Sequence, residues 1–327
     1  MTQAYEGALF PGLVRRESYA LHTSLLVAIV FWGLAFTAIK LALAHMSWIT
    51  LTFLRLAIAS GLYVVYLTAM KPKTRIERRD FPKIALIGFV AFTAYHLFLN
   101  LGEMDPNTTA GTSALVIASA PAFLAILAVV MLKEKVTSVR AIGIAFAFVG
   151  LAVMLLLSSP GSEYRVTFTI GAALIIPAAF FAALYSALAK PLLSKYQPFQ
   201  LTAYAMFFGT IFTLPFVAVN GGGTLSELGT MGIGGVLPVL FLGLFPTFLS
   251  YGLWFRALQK MEASAAGAYV YLSTLLAVIA GIIVLGETVT APAIIGGAMV
   301  IGGVYVAQRR SRQTRESLAH LPQSPGE

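Results

Sequence analysis

The chain has 327 residues, a net charge of +9 and a mean hydropathy of +0.85, with 58% hydrophobic and 11% charged residues. Soluble proteins carry about a quarter charged residues, so this composition excludes a water-soluble globular protein. The chain has no cysteine, which also excludes disulfides, thiolate metal sites and cysteine nucleophiles.

The first 20 residues are mixed in character and include Arg15, Arg16 and Glu17. The apolar run that follows is long enough for a transmembrane helix and has no small-residue cleavage site, so it does not fit a cleaved secretory signal. We therefore predict a cytoplasmic N-terminal segment over 1–20.

Ten apolar segments follow in chain order. Each is long enough to cross a hydrocarbon core about 30 Å thick as a helix, and in lipid a helix satisfies its own backbone hydrogen bonds. The sequence therefore predicts an all-α integral membrane protein with ten transmembrane helices. The predicted spans are 21–43, 48–70, 83–102, 108–132, 137–157, 167–189, 198–219, 233–255, 263–285 and 289–307.

Basic residues are distributed unevenly between the predicted loops. If both termini are cytoplasmic, all 22 Lys and Arg residues lie at the inner side except Arg165, which is outside, and Lys40 and Arg55, which are inside spans. Because basic residues are retained on the cytoplasmic side, this bias predicts cytoplasmic termini in a bacterial inner membrane. The positive charge then favours anionic lipid headgroups at the cytoplasmic face as partners, rather than nucleic acid. The polar segment 308–327 is predicted to be a disordered basic cytoplasmic tail.

Two stretches of the sequence repeat each other. Ala125–Val153 and Val278–Val306 align without a gap and share Leu132/Leu285, Glu134/Glu287, Thr137/Thr290, Ile142/Ile295 and Gly150/Gly303. The first parts of the halves align more weakly and place Arg55 against Tyr204. We therefore predict two five-helix repeats, 21–157 and 167–307, joined by an outer linker at 158–166. Since five is odd, the second repeat is inverted, an arrangement typical of secondary transporters.

Four segments resemble the drug/metabolite transporter superfamily in its EamA branch. They are FWGLAFTAIK in the first span, LTFLRLAIASGLYV in the second, TAGTSALVIASAPAFLAILAVVMLKEKVT in the fourth and ASAAGAYVYLSTLLAVIAGIIVLGETVT in the ninth. The resemblance implies a basket-like bundle in which spans 1–4 and 6–9 surround a central cavity and spans 5 and 10 pack at the periphery. It also implies transport of small metabolites, amino acids or drugs, often outward. The family's proline in the fourth span is kept as Pro121, whereas its ninth-span counterpart is Thr274.

Repeated acids and glycines have structural interpretations. Glu134 and Glu287 each follow a span and precede, by three residues, Thr137 or Thr290, so we interpret these residues as helix caps rather than reacting acids. Gly143/Gly150 and Gly296/Gly303 are two helical turns apart on one face. They predict close backbone packing of the fifth and tenth spans.

Charged and titratable residues within spans are the sharper candidates for a site. Lys40 is either a snorkelling lysine or, with Arg55, part of an electropositive outer vestibule that binds a carboxylate or phosphate. Arg55 alternatively forms a structural ion pair, for which Glu103 is a candidate partner. His96 is either a proton carrier or substrate ligand, or a neutral histidine bonded between helices.

Other residues within spans are candidates for the cavity wall or for kinks. Trp48 and Trp254 lie near span ends and are interpreted as interfacial anchors. Kinks are expected at Pro121, Pro177 and Pro246. The remaining candidate cavity residues are Trp32, Tyr95, Asn100, Ser119, Tyr185, Tyr204, Tyr251 and Tyr271.

These patterns favour a secondary transporter that works by alternating access. The expected substrate is an amino acid or a related amphipathic anion or zwitterion, and export is inferred from the resemblance alone. The alternative is a membrane-embedded enzyme or a lipid scramblase with a polar intramembrane groove. An enzyme is not expected, since no metal-ligand or nucleophile motif is present, and no cofactor is predicted. No Walker loop is present to use ATP, and the apparent lack of buried carboxylates argues against proton coupling. A homodimer stays an open possibility.

Overall fold

A computed structural model of the chain describes residues 11–72, 74–132, 138–157, 170–220, 222–261, 266–267, 269–292, 294–303 and 305–306. These residues form helices and connecting turns, with no strand among them. Six helices are long and apolar enough to cross a membrane, and four shorter apolar helices occupy the other predicted spans. The chain is thus an all-helical integral membrane protein.

The helices are numbered α1 to α10 in chain order. They are α1 (Pro11–Leu43), α2 (Trp48–Met70), α3 (Arg78–Glu103), α4 (Ala110–Ile117 and Ala120–Leu132), α5 (Ser138–Leu157), α6 (Ile170–Leu192), α7 (Pro198–Val219), α8 (Gly232–Lys260), α9 (Val270–Leu285) and α10 (Ile294–Gly303), with a short helix, Gly223–Thr230, between α7 and α8.

α1 begins well before residue 21, where the sequence predicted its start. Proline at its first position is favourable because the first N–H groups of a helix have no intrahelical partner. The predictions for Glu134, Thr137, the linker 158–166 and the tail 308–327 fall outside the described residues.

The two halves of the chain interlock. α1 packs against α8 and α9, and α6 packs against α3 and α4 in the corresponding way. α2 packs against α7 and α8, while α7 packs against α2 and α3. Each pair of helices in contact thus has a matching pair in which both helices are replaced by their counterparts in the other half. Contacts between the halves therefore build the centre of the molecule.

Successive helices run in alternating directions, so the bundle has two ends. We call the end where α1 and α3 finish the Lys40 end, and the end where α6 and α8 finish the Lys190 end. Buried apolar residues form two large clusters, one including Met46 and Leu51 near the Lys40 end and one including Leu192 and Leu258 near the Lys190 end.

α3 and α8, the third helix of each half, both contain a π-helical segment. The segments are Phe89–Ala94 and Gly243–Leu249. π segments disturb the regular backbone hydrogen bonds and expose carbonyl groups. In α8 the side chains of two other helices use these carbonyls: Trp32 Nε1 donates to the Pro246 carbonyl at 3.0 Å and the Tyr63 hydroxyl to that of Phe248 at 2.6 Å.

α4 and α9, the fourth helix of each half, differ in their continuity at the positions of Pro121 and Thr274. α4 is interrupted at Ala118 and Ser119, just before Pro121. α9 continues through Thr274, whose hydroxyl donates to the carbonyl of Ala114 in α4 at 3.3 Å. Pro177, by contrast, lies within an uninterrupted α6.

The prediction of close packing between α5 and α10 is confirmed. A Cβ placed on Gly303 would meet the Gly143 carbonyl at 2.5 Å, and one on Gly150 would meet the Gly296 carbonyl at 2.6 Å. The two glycine pairs therefore face each other across the helix crossing. Only glycine allows the backbones to approach this closely.

Candidate functional site: a cavity between the halves

A cavity lies at the junction of the two buried clusters, with about 790 Å³ of empty space including its open side. Its described lining comes from α1, α2, α3, α4, α6, α8 and α9 and from Gly267. α7 contributes no described lining residue, although the resemblance implied that spans 6–9 would all surround the cavity. The sequence-predicted residues that line it are Trp32, Arg55, Tyr95, His96, Pro121, Tyr185 and Tyr251.

Other predicted cavity residues lie elsewhere. Asn100 is buried one turn beyond His96, and its amide donates to the Thr52 hydroxyl at 2.8 Å. The Ser119 hydroxyl donates to the Val116 carbonyl at the break in α4. Tyr204 packs on Phe81, with ring centroids 6.0 Å apart, because it belongs to α7. Tyr271 is half-buried, packs against the cluster of Ala122 and Ala147, and does not line the cavity.

Trp254 lines the cavity, which corrects its interpretation as an interfacial anchor. Its side chain is buried, and its ring centroid lies 5.2 Å from that of Trp32. Trp254 follows Tyr251 by three residues and so shares its helix face. The sequence analysis missed Trp254 as a cavity residue, and this spacing from Tyr251 was the signal that could have found it.

Aromatic rings form one wall of the cavity, with Tyr251 at its centre. The Tyr251 ring centroid lies 5.3 Å from that of Trp32 and 5.9 Å from those of His96 and Tyr185. Tyr95 stands edge-on to His96 at 4.9 Å. These rings offer a large apolar surface and π faces that attract cations.

Arg55 is the one charged residue in the described lining. It is only 3% exposed, and its Nε donates to the hydroxyl of Thr247 in the π segment of α8 at 3.1 Å. The ion pair with Glu103 does not form, and Arg55 Nη1 has no hydrogen-bond partner among the described residues. The guanidinium is thus held at one nitrogen and left unpaired at another.

Two further polar atoms in the lining are buried without a partner among the described residues: His96 Nε2 and Trp254 Nε1. His96 Nδ1 lies 2.9 Å from the Phe92 carbonyl, which can only accept, so Nδ1 carries the hydrogen. In a neutral imidazole, Nε2 is then an acceptor. Buried polar groups are nearly always hydrogen-bonded. These unpaired atoms therefore indicate where a ligand would bind.

Lys40 is not in the described lining of the cavity, so the structure does not bring it together with Arg55 there. Its ammonium donates to the backbone carbonyls of Glu103 at 2.5 Å and Asp105 at 3.1 Å. Lys190 does the same at the opposite end of the bundle, donating to the carbonyls of Leu258 and of Met261, the latter at 2.7 Å. In each half, a lysine at the end of the first helix thus binds the end of the third. We call these contacts the lysine clamps.

Carboxylates surround the Lys40 clamp. Glu287 accepts from the N–H groups of Ala110 at 2.7 Å and Gly111 at 3.3 Å, so it caps the start of α4. The spacing of Glu287 from Thr290 had instead predicted a cap at the start of α10. The carbonyl of Thr290 accepts from the N–H of Ile294 at 3.2 Å at the start of α10.

Asp105 lies in the turn between α3 and α4. Burial opposes its ionisation, but N–H groups of Asn107 and Gly171 and the Thr108 hydroxyl outweigh that effect and lower the pKa of Asp105. Glu103 differs: it is 1% exposed, and neither of its carboxylate oxygens has a partner among the described residues.

The chain is similar to proteins named as transporters over most of its length. Residues 22–156 and 169–308 each match the EamA-like transporter family. A protein of Archaeoglobus fulgidus named an uncharacterized transporter is 36% identical over 289 residues, covering 88% of this chain and 98% of that protein. A protein of Streptantibioticus cattleyicolor named a probable terminal-alkyne amino-acid exporter is 32% identical over 288 residues, covering 88% of this chain and 93% of that protein.

A solved crystal structure has the same fold. It superposes with a TM-score of 0.61 at 16% identity, covering 90% of this chain and 99% of that one. The family match occurs once in each half, so the family unit is present twice.

Proposed function

Since the chain belongs to the EamA-like transporter family, we propose that it is a secondary transporter that exports an amino acid or a related amphipathic anion or zwitterion. The observation that carries this proposal is the set of unpaired polar atoms in the cavity: Arg55 Nη1, Trp254 Nε1 and His96 Nε2. Two of them are donors and one is cationic, while no acidic side chain is in the described lining. This chemistry favours a carboxylate.

In this proposal the substrate carboxylate binds to Arg55 and Trp254. Hydrogen bonds to a charged group contribute about 1.5–3 kcal/mol each. An ammonium group, where the substrate has one, donates to His96 Nε2 and lies against the π faces of Tyr251 and Trp32. The apolar part of the substrate packs among the remaining aromatic side chains. The amino-acid substrate named for the Streptantibioticus relative agrees with this class.

Transport by alternating access follows from the arrangement of the halves. The cavity is shared between them, so a relative movement of the halves would expose it first at one end and then at the other. The basic Lys190 end is proposed to face the cytoplasm of a bacterial cell across its inner membrane, with both termini on that side. The protein is proposed to have no catalytic activity.

Uptake into proteoliposomes containing the full chain tests this proposal. The probes are labelled L-phenylalanine, 3-phenylpropionate and phenethylamine, which carry both charges, only the carboxylate and only the ammonium. We expect saturable uptake of the first two. Arg55→Gln is expected to raise the half-saturation concentration at least tenfold, corresponding to about 1.5–3 kcal/mol for the lost charged hydrogen bond.

Arg256→Gln is the matched control, because Arg256 is an exposed arginine on α8 that does not line the cavity. Its uptake is expected to equal that of the wild type. Uptake of phenethylamine alone would contradict the carboxylate assignment. Absence of saturable uptake together with accelerated lipid flipping would favour a scramblase instead.

A further inference from the structure

Glu103 is a buried acid that the proposed substrate site does not use. Its side chain is 1% exposed at the end of α3, and both of its carboxylate oxygens lack a hydrogen-bond partner among the described residues. An ionised carboxylate in this position is costly, because burial removes its hydration and the neighbouring Ser113 hydroxyl donates to the Thr109 carbonyl instead. A buried acid without donors gains most by binding a proton.

The fold itself does not require an acid at this place. In the first half, the Lys40 clamp uses the backbone carbonyl of Glu103, and in the second half the Lys190 clamp uses the backbone carbonyl of Leu258. Leu258 is fully buried. The clamp contact therefore also forms with a leucine at this position, so the clamp does not require the carboxyl group of Glu103.

Glu103 belongs to a line of polar residues that leads to the cavity. His96, Asn100 and Glu103 have the spacing i, i+4, i+7, which places them on one face of α3. Each has a buried side-chain atom without a partner: His96 Nε2, Asn100 Oδ1 and the Glu103 oxygens. We call these three residues the polar stripe. It joins the cavity to the Lys40 end.

The charges that face Glu103 come from several elements. Lys40 of α1, Arg55 of α2 and Glu287 from the loop after α9 act on it electrostatically, and Ser113 of α4 lies beside it. Tyr95 of its own helix is within electrostatic range. Lys40 has the largest of these electrostatic effects on Glu103, followed by Glu287 and Arg55. Of the three, only Arg55 is in the described lining of the cavity, so Arg55 links Glu103 to the substrate site.

We propose that Glu103 is a proton-binding site linked to the substrate site through Arg55, so that a carboxylate in the cavity and a proton on Glu103 bind together. This proposal rests on the proposed function of the cavity. When Glu103 is ionised, it neutralises part of the field of Arg55 and weakens carboxylate binding. A proton from water converts it to the neutral acid, leaves Arg55 available and is released again when the substrate leaves. One proton then accompanies each carboxylate, and no other reactant is needed.

The test measures binding of 3-phenylpropionate and of L-phenylalanine to the full-length protein in nanodiscs between pH 5 and pH 8. Wild-type affinity is expected to increase as the pH falls, by up to about tenfold per pH unit, the limit for one linked proton. Glu103→Gln imitates the protonated acid and is expected to bind tightly at every pH. Glu103→Leu, which copies Leu258 of the second half, is expected to behave in the same way and serves if the glutamine variant folds poorly.

Asp105→Asn is the matched control. Asp105 is two residues from Glu103, but its hydrogen bonds lower its pKa, so it stays ionised in this range. We expect this variant to keep the pH dependence. If wild-type affinity does not change with pH, or if the pH dependence persists in Glu103→Gln because His96 titrates, the proposal is wrong while the cavity still binds carboxylates.

Infrared difference spectroscopy between the same pH values gives a readout that needs no substrate. A carbonyl stretch of a protonated carboxyl group is expected in the wild type and is expected to be absent in Glu103→Gln. If neither carboxylate probe binds, the proposed function fails, and this band still decides whether Glu103 binds a proton. A spectrum that is the same in both proteins would overturn the inference.

Discussion

Trp254 presents an indole N–H to the cavity for which no described group of the protein is an acceptor. Trp32, whose ring lies tilted against that of Trp254, differs because its N–H is bonded to the Pro246 carbonyl. Two similar rings in contact thus have different roles. The N–H of Trp32 stabilises the π segment of α8, and that of Trp254 is available to a ligand.

This difference leads to a prediction for Trp254→Phe. The variant keeps an aromatic ring and removes the donor, so the half-saturation concentration for 3-phenylpropionate is expected to rise at least tenfold, corresponding to about 1.5–3 kcal/mol for one hydrogen bond to a charged group. Trp48→Phe is the control, since Trp48 does not line the cavity. Equal half-saturation values for the two variants would show that Trp254 does not contact the carboxylate.

The sequence identified Arg55, His96 and several aromatic residues of the cavity, because polar or amphipathic groups inside an apolar helix need a partner. It did not separate Tyr251, which lines the cavity, from Tyr204, which does not. In a helix that is apolar on every side, periodicity carries no information on which face is buried. Glu103 was missed as a buried acid for a different reason. Its burial depends on α1, α4 and the loop after α9, which meet only in the folded protein.

At the scale of helices, the repeated glycines of α5 and α10 were predictable and the π segments were not. Glycines at a regular spacing are a known signature of close helix packing. A π segment in α3 has no such signature, since Phe89–Ala94 contains no proline or glycine. In α8, Pro246 indicated a disturbance but not its form.

The α5–α10 crossing allows a test with adjacent glycines of one helix. A Cβ on Gly303 would collide with the backbone of α5, whereas a Cβ on Gly302 would meet nothing within 4 Å. We expect Gly303→Ala to lower the unfolding free energy by about 1–3 kcal/mol, as overpacking does. Gly302→Ala is expected to be neutral or slightly stabilising, because alanine favours the helix. Thermal unfolding in detergent measures both, and equal melting temperatures would contradict the predicted crossing.

At the scale of the whole molecule, contacts within a half differ from contacts between halves. The lysine clamps and the bond from Gln259 to the Leu193 carbonyl, at 2.8 Å, lie within one half. The bonds from Lys195 and Tyr196 to Asp80, at 3.0 and 2.7 Å, join the two halves at the Lys190 end. During alternating access, the contacts between the halves must break when the Lys190 end opens.

Cross-linking distinguishes the two kinds of contact, and the natural chain has no cysteine to interfere. Cysteines at positions 80 and 195, joined by a short bis-maleimide, are expected to block uptake because they hold the halves together. Cysteines at positions 193 and 259 lie at the same end within one half, and their cross-link is expected to leave most of the uptake intact. Full uptake with the 80–195 link would mean that the halves do not separate at this end.

The overall plan of the molecule was the most predictable level. Ten apolar segments, the bias of basic residues and the repeated sequence together indicate two inverted halves. The departure of α7 from the cavity wall was not predictable, because it depends on how α7 packs against α2 and α3.

The mismatched pairs, Glu103 with Leu258 and Pro121 with Thr274, have an energetic consequence. If the two halves had identical sequences, exchanging the conformations of the halves would convert the state open at the Lys190 end into the state open at the Lys40 end. The two states would then have the same free energy. Every mismatch removes this degeneracy. The resting population of the empty protein therefore depends on the residues that differ between the halves, and making Glu103 and Leu258 alike would shift that population without changing a described residue of the cavity wall.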